Sequence, residues 1–168
     1  RRCAVCDEIE VTGNGICPLC KNKVHVAGEP ACKKCGKPLV DEREEFCNDC
    51  GKKHHVYTQG KAVFVYEGGI RNSMYRFKYG NKREYAEFYA NAAVEKYGVW
   101  LKKIKAEVLI PIPMYSRKKR LRGYNQAEVF ARALGRRTGI LVEEHLVTRV
   151  RNTTPQKELN ESQRRSNL

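Results

Sequence analysis

Eight cysteines stand as four CxxC pairs: Cys3/Cys6, Cys17/Cys20, Cys32/Cys35 and Cys47/Cys50. A CxxC turn aims two sulfurs at one point, and two such turns supply the four tetrahedral ligands that a zinc ion takes at about 2.3 Å. Ten or eleven residues separate successive pairs, enough for a short hairpin and too few for a helix with two turns. Cys3, Cys6, Cys17 and Cys20 are expected on one Zn²⁺, and Cys32, Cys35, Cys47 and Cys50 on a second. Spacing also permits a cross-braced pairing, first pair with third and second with fourth. Pro18 and Pro38 sit in or beside the turns, and Gly36 and Gly51 are expected to relieve them with positive φ. Disulfides or a redox CxxC are the competing readings. A redox pair normally lies between a strand and a helix, and no such context occurs here. With all ligands cysteine, no position is left open for catalysis, so the zincs hold together a segment too small for its own core. His25, His54 and His55 read as bystanders to complete ligand sets.

No cysteine follows Cys50, and the charge changes at the same place. The chain has 33 Lys/Arg and 19 Asp/Glu over 168 residues. The first 60 residues are nearly balanced at 10 against 9, and the remainder carries a surplus of 13 positive charges. The expected division is therefore residues 1–55, a double zinc ribbon, and residues 56–168, a basic domain whose partners are polyanions. No apolar run approaches the roughly 18–20 residues of a membrane span, and no signal-peptide pattern opens the chain. The cytoplasm is the expected compartment, one in which paired cysteines more often hold metal than form disulfides.

In the second part, residues 52–61 read as a polar linker and 62–66 as a strand. Ile70, Met74 and Phe77 step at helical spacing up to Gly80. A longer helix is expected over 84–103, with Tyr85, Phe88, Tyr89, Ala92, Ala93, Tyr97, Trp100, Leu101 and Ile104 facing the core. Residues 108–113 read as a short buried strand. A basic loop follows, with Arg117, Lys118, Lys119, Arg120 and Arg122 before Gly123. A helix then starts at Asn125 and Gln126, buries Ala127, Phe130, Ala131 and Leu134, and is capped by Gly139. Residues 140–142 and 146–147 are candidate strands. Strands alternating with helices point to the α/β class with a parallel sheet. The order strand, cationic glycine loop, helix is an arrangement suited to phosphate, since helix N-termini offer free N–H groups and Arg offers bidentate donors. A solvated basic surface is the competing reading. Tyr115 and Tyr124 flank the loop; Tyr124 is expected to pack inward, and Tyr115 is left open between packing and base stacking.

IPIP at 110–113, RLRGYNQA at 120–127, and the series Arg149, Arg151, Thr153, Pro155, Gln156, Leu159, Arg164, Arg165 and Asn167 resemble the ComF family. So do YEG at 66–68, KYG at 78–80 and the four CxxC pairs, so the resemblance covers nearly the whole chain. Those are competence-associated proteins with a phosphoribosyltransferase-like domain behind a double zinc ribbon. The resemblance implies a type I phosphoribosyltransferase-like parallel sheet and a role with incoming single-stranded DNA in natural transformation. It makes residues 114–123 the pyrophosphate loop, with Arg117, Arg120 and Arg122 as phosphate ligands. The family pattern continues into two acidic residues and a Thr-Thr-Gly loop that cradles phosphoribosyl pyrophosphate. This sequence ends at Leu168 before any such loop and opens on Arg1 without a Met, and so reads as a trimmed or incomplete copy. Mg²⁺ and phosphoribosyl pyrophosphate are accordingly expected only of a complete domain, and phosphoribosyl transfer is not expected of these residues.

Three functions follow. The leading one is single-stranded DNA binding in DNA uptake through the basic domain, at Arg117, Lys118, Lys119, Arg120, Arg122, Gly123, Asn125 and Gln126. The second is a phosphoribosyltransferase of nucleotide metabolism. The third is a docking module, in which the near-neutral ribbons meet a competence helicase or another DNA-uptake protein.

Overall fold

The computed structural model describes residues 1–154, 158–160, 162, 163 and 167. Pro155, Gln156, Arg164 and Arg165 of the family-like series lie outside the described residues. Two short helices, α1 (Pro18–Lys21) and α2 (Asn48–Lys52), each begin inside the second CxxC turn of a ribbon. The body then runs α3 (Gly68–Tyr79), α4 (Tyr85–Lys103), β1 (Val108–Leu109), α5 (Ser116–Arg122), α6 (Gln126–Thr138) and β2 (Leu141–Val142).

α3 buries Ile70, Ser73 and Phe77 on one stripe. Phe77 meets Tyr89 of α4 at 5.6 Å between ring centroids, and the Ser73 hydroxyl and Tyr89 Oη share a 2.7 Å hydrogen bond. The first half of the aromatic stripe on α4, Tyr85, Phe88, Tyr89 and Ala93, is core as expected. Its second half does something else. Tyr97 Oη donates to the Ala62 carbonyl at 2.8 Å, and the Trp100 indole N–H donates to Gln59 Oε1 at 3.1 Å. Lys61 lies over both rings, and Ile104 is exposed. Tyr97 and Trp100 thus grip the linker, while Leu101 of the same half packs against the core as expected.

Residues 62–66 are consequently an extended strap and not a regular strand. One antiparallel bridge, Val26 to Phe64, is formed there, flanked by amide bonds from Ala27 to the Val63 carbonyl and from Val65 to the His25 carbonyl. The predicted strand at 146–147 is also absent: Leu146 and Val147 are exposed in an irregular segment. Among the described residues the sheet is one parallel pair, Val108 with Leu141 and Leu109 with Val142. β1 is half-buried rather than buried, and of the predicted strand 108–113 only two residues pair. The α/β class stands in this small form.

α6 packs along α4, joined by Arg136 and Arg137 to Glu87. Burial raises the Glu87 carboxyl, but the two guanidinium groups outweigh it and hold the pKa below the usual range. Gly135 admits β2 onto this helix: a Cβ there would stand 2.6 Å from Val142 Cγ2 and 2.9 Å from the Ile140 carbonyl.

Candidate functional site

The cysteines form two sets in chain order: Cys3, Cys6, Cys17 and Cys20, then Cys32, Cys35, Cys47 and Cys50. Within each set the sulfurs all lie within 4.8 Å of one another, and all eight are free thiols. Zinc bound at about 2.3 Å would set neighbouring sulfurs about 3.8 Å apart. Cys6 to Cys17 and Cys35 to Cys47 both measure 3.8 Å. The donor sets therefore fit two structural zinc ions, paired sequentially and not cross-braced.

Backbone amides prepare the sulfurs. Val5 N–H and Cys17 N–H each donate to Cys3 Sγ at 3.4 Å. Burial raises the Cys3 and Cys32 thiols, yet amide donors overcome it and bring them to about 7 and about 6. Cys20 and Cys50 are pushed up to about 12, by burial first and then by the neighbouring sulfurs. A coordinated cation holds such thiols deprotonated. The clusters contain no histidine: His25 pairs with Glu67 at 2.6 Å, and His55 stacks on Tyr57.

Gly36 follows its knuckle at φ +75°, as expected, but Gly51 lies inside α2 without positive φ. The corresponding position in the first ribbon is Asp7, at φ 70°. Its carboxylate accepts from Tyr85 Oη at 2.7 Å and pairs with Lys82 Nζ at 2.8 Å. Partial burial raises the Asp7 carboxyl and these two donors more than reverse it, leaving the pKa lowered. The equivalence of Asp7 and Gly36, each just after a CxxC, was the available sequence signal for this residue.

The basic segment is the helix α5, not a loop, and it turns a corner into α6. Gly123 closes α5 at φ 82°, its N–H donating to the Lys119 carbonyl at 2.8 Å. Tyr124 is buried, its hydroxyl bonded to the Phe77 carbonyl and its ring under the Arg83 guanidinium at 4.9 Å. Asn125 caps α6 by accepting from Ala127 N–H at 3.0 Å, and its Nδ2 donates to the Ile112 carbonyl at 2.9 Å. The α6 N-terminus is thus already partly satisfied by its own chain.

The candidate cations separate accordingly. Lys119 pairs with the buried Glu128 at 2.7 Å, and Lys118 donates to the Thr153 carbonyl at 2.8 Å. Arg122 donates to Gln126 Oε1 at 2.6 Å and lies over the Tyr79 ring at 4.8 Å. Arg117 and Arg120 are exposed, with no partner among the described residues. They share the outer face of α5 with Leu121, which is 82% exposed. Tyr115 precedes α5, half-buried. Gly123, Tyr124 and Asn125 build the corner, while Arg117 and Arg120 are presented by it.

Residues 1–51 match the family model described as a double zinc ribbon domain. The chain is also 39% identical over 62 residues to Competence protein F of Haemophilus influenzae, a stretch that covers 37% of this chain and 27% of that protein. The two matches thus each cover well under half of the chain. No solved structure matches the chain. The ribbon match accounts for both cysteine clusters and ends before the basic body begins. No helix among the described residues is long and apolar enough to cross a membrane.

Proposed function

We propose that this chain is a competence-associated protein of the cytoplasm that binds single-stranded DNA at the α5 corner, with its ribbons held by structural zinc. The observation that carries this reading is the pairing state of the α5 cations. Arg117 and Arg120 stand exposed on one face without an acidic partner among the described residues, and the half-buried Arg122 meets Gln126 and the Tyr79 ring, neither of them acidic. The surplus of 13 positive charges after residue 60 supplies the long-range attraction for a polyanion. The partial similarity to Competence protein F favours DNA uptake as the setting.

A second role attaches to the other end of the molecule. The second ribbon displays Val40 and Phe46 to solvent and is nearly neutral, which favours docking of a protein partner such as a competence helicase.

The test is a titration of labelled single-stranded oligonucleotide with zinc-loaded protein at two salt concentrations. Binding should weaken steeply with salt. Changing Arg117, Arg120 and Arg122 together to Ala should reduce the slope of log K against log salt by about 2, at roughly 0.7 per phosphate contact. No binding at low salt, or wild-type binding and slope in the triple variant, would sink the assignment to this corner.

A further inference from the structure

α3 carries two large aromatic side chains on the side away from the core. Tyr75 and Tyr79 are 66% and 54% exposed, while Ile70, Ser73 and Phe77 of the same helix are buried. They stand one turn apart with ring centroids at 5.1 Å and planes at 49°, so one ring props the other and the outer ring remains open. Tyr79 also meets the Arg122 guanidinium, 4.8 Å from the ring centroid. Arg122 is itself fixed by its 2.6 Å bond to Gln126. The contacts therefore run from Tyr75 to Tyr79 to Arg122, on the helix that also carries the exposed Arg120 and Arg117.

The charge of this surface is one-sided. α3 holds Arg71, Arg76 and Lys78 and no acid, with Arg76 turned to the Val5 carbonyl; α5 holds five cations and no acid, with Lys119 paired to Glu128 of α6. A helix that only needed solvation would place polar side chains where Tyr75 and Tyr79 stand. Aromatic rings next to cations, without acids between them, complement a ligand that alternates flat apolar groups with anions. A single strand of nucleic acid has that alternation, whereas a duplex keeps its bases stacked inside.

We propose that Tyr75 and Tyr79 form a base-stacking platform for single-stranded DNA, braced by Arg122, alongside the phosphate contacts of α5. This rests on the single-strand reading above and assigns bases and phosphates to different elements. A base stacks on the open face of Tyr75 with Tyr79 behind it. Arg122 holds Tyr79 and turns its remaining N–H donors toward the backbone of the same strand. Because every base has a π face, such a platform binds without strong sequence preference.

Two strands of equal length and charge separate stacking from phosphate attraction: an oligothymidylate, and the same sugar-phosphate chain made abasic at consecutive positions. Zinc-loaded wild type should bind the oligothymidylate more tightly. Changing Tyr75 and Tyr79 together to Ala should weaken that binding about tenfold for each stacked base, with the salt slope unchanged and the abasic strand bound as before. Changing both to Phe, which keeps the rings, should preserve wild-type binding, and thermal melting of each variant reports whether α3 remains folded. The platform is overturned if the Ala variant binds oligothymidylate like wild type, if it loses equal affinity for the abasic strand, or if wild type does not distinguish the strands. Absence of binding to either strand at low salt overturns the single-strand reading together with it.

Discussion

The first ribbon contributes Ala4, Ile16 and Val24 to the main core, and Arg76 of α3 donates to the Val5 carbonyl at 2.7 Å. Asp7 ties the same ribbon to Tyr85 and Lys82 at the start of α4. The second ribbon, with the same ligand chemistry and nearly the same spacing, meets the body by its backbone edge. Gly60 N–H donates to the Lys34 carbonyl at 2.6 Å, Gln59 Nε2 donates to the Lys33 carbonyl at 3.1 Å, and Gly36 lies against residues 60–62. None of its residues belongs to the main core cluster. Identical metal chemistry thus serves two purposes. In one ribbon zinc shapes a wall of the core; in the other it shapes an appendage clipped to the linker.

That contrast breaks most sharply at the metal. Structural zinc contributes on the order of 10 kcal/mol or more to folding, comparable with the whole stability of a domain. Cys3→Ser should therefore unfold ribbon and helical body together, whereas Cys32→Ser should release one zinc and leave α3, α4 and α6 folded. Metal content together with circular dichroism and amide hydrogen exchange checks this; equal loss of helix in both variants would erase the distinction.

A smaller effect probes the clip. Gly36 has φ +75°, and a Cβ there would stand 2.7 Å from the Ala62 amide nitrogen, a backbone atom with little freedom to move. Gly36→Ala should destabilise the second ribbon by about 2 kcal/mol, from the left-handed backbone and the displaced strap together. Exchange should quicken at residues 32–62 and not in α6.

The smallest effect sharpens the first ribbon's tie. Asn tolerates the backbone of Asp7, so Asp7→Asn removes charge with little added strain. It should cost about 1 kcal/mol at neutral pH, from weaker bonds to Tyr85 and Lys82. The Asp7 carboxyl is lowered in the folded state, so its contribution is present above the unfolded value near pH 4 and is lost as pH falls through the folded one. The stability gap between wild type and variant should stay level from about pH 8 to 5 and close below about pH 4. A gap that widens in acid would show that the carboxylate is not what holds the ribbon.

Much of this architecture was readable where local chemistry leaves few options. Four CxxC turns admit few solutions, and α6 announces itself by Asn125 before an apolar stripe and Gly139 after it. The readings that failed depended on partners in other elements. Residues 62–66 have strand composition, but the groups that hold them are Tyr97 and Lys96 of α4, so they end as a strap. The Arg/Lys run at 116–122 lacks apolar periodicity and reads as a loop. It is helical because Lys119 and Arg122 find Glu128 and Gln126 on α6. Of the eight residues proposed for phosphate or DNA, Gly123 and Asn125 are occupied in building the corner. The exposed tyrosines of α3 were hidden in a pattern that, by periodicity alone, marks only Ile70, Met74 and Phe77.

α4 is 19 residues long, a rod of about 28 Å. Its first turn adjoins Asp7 and, through Arg83, the Gly123 corner; its last turns carry Tyr97 and Trp100 under the strap that clips the second ribbon. The basic corner and the appended ribbon are thereby kept at opposite ends of one stiff strut. On the proposed reading, a strand on one end and a protein on the other would not compete for room, and each would raise the effective concentration of its neighbour on the same body.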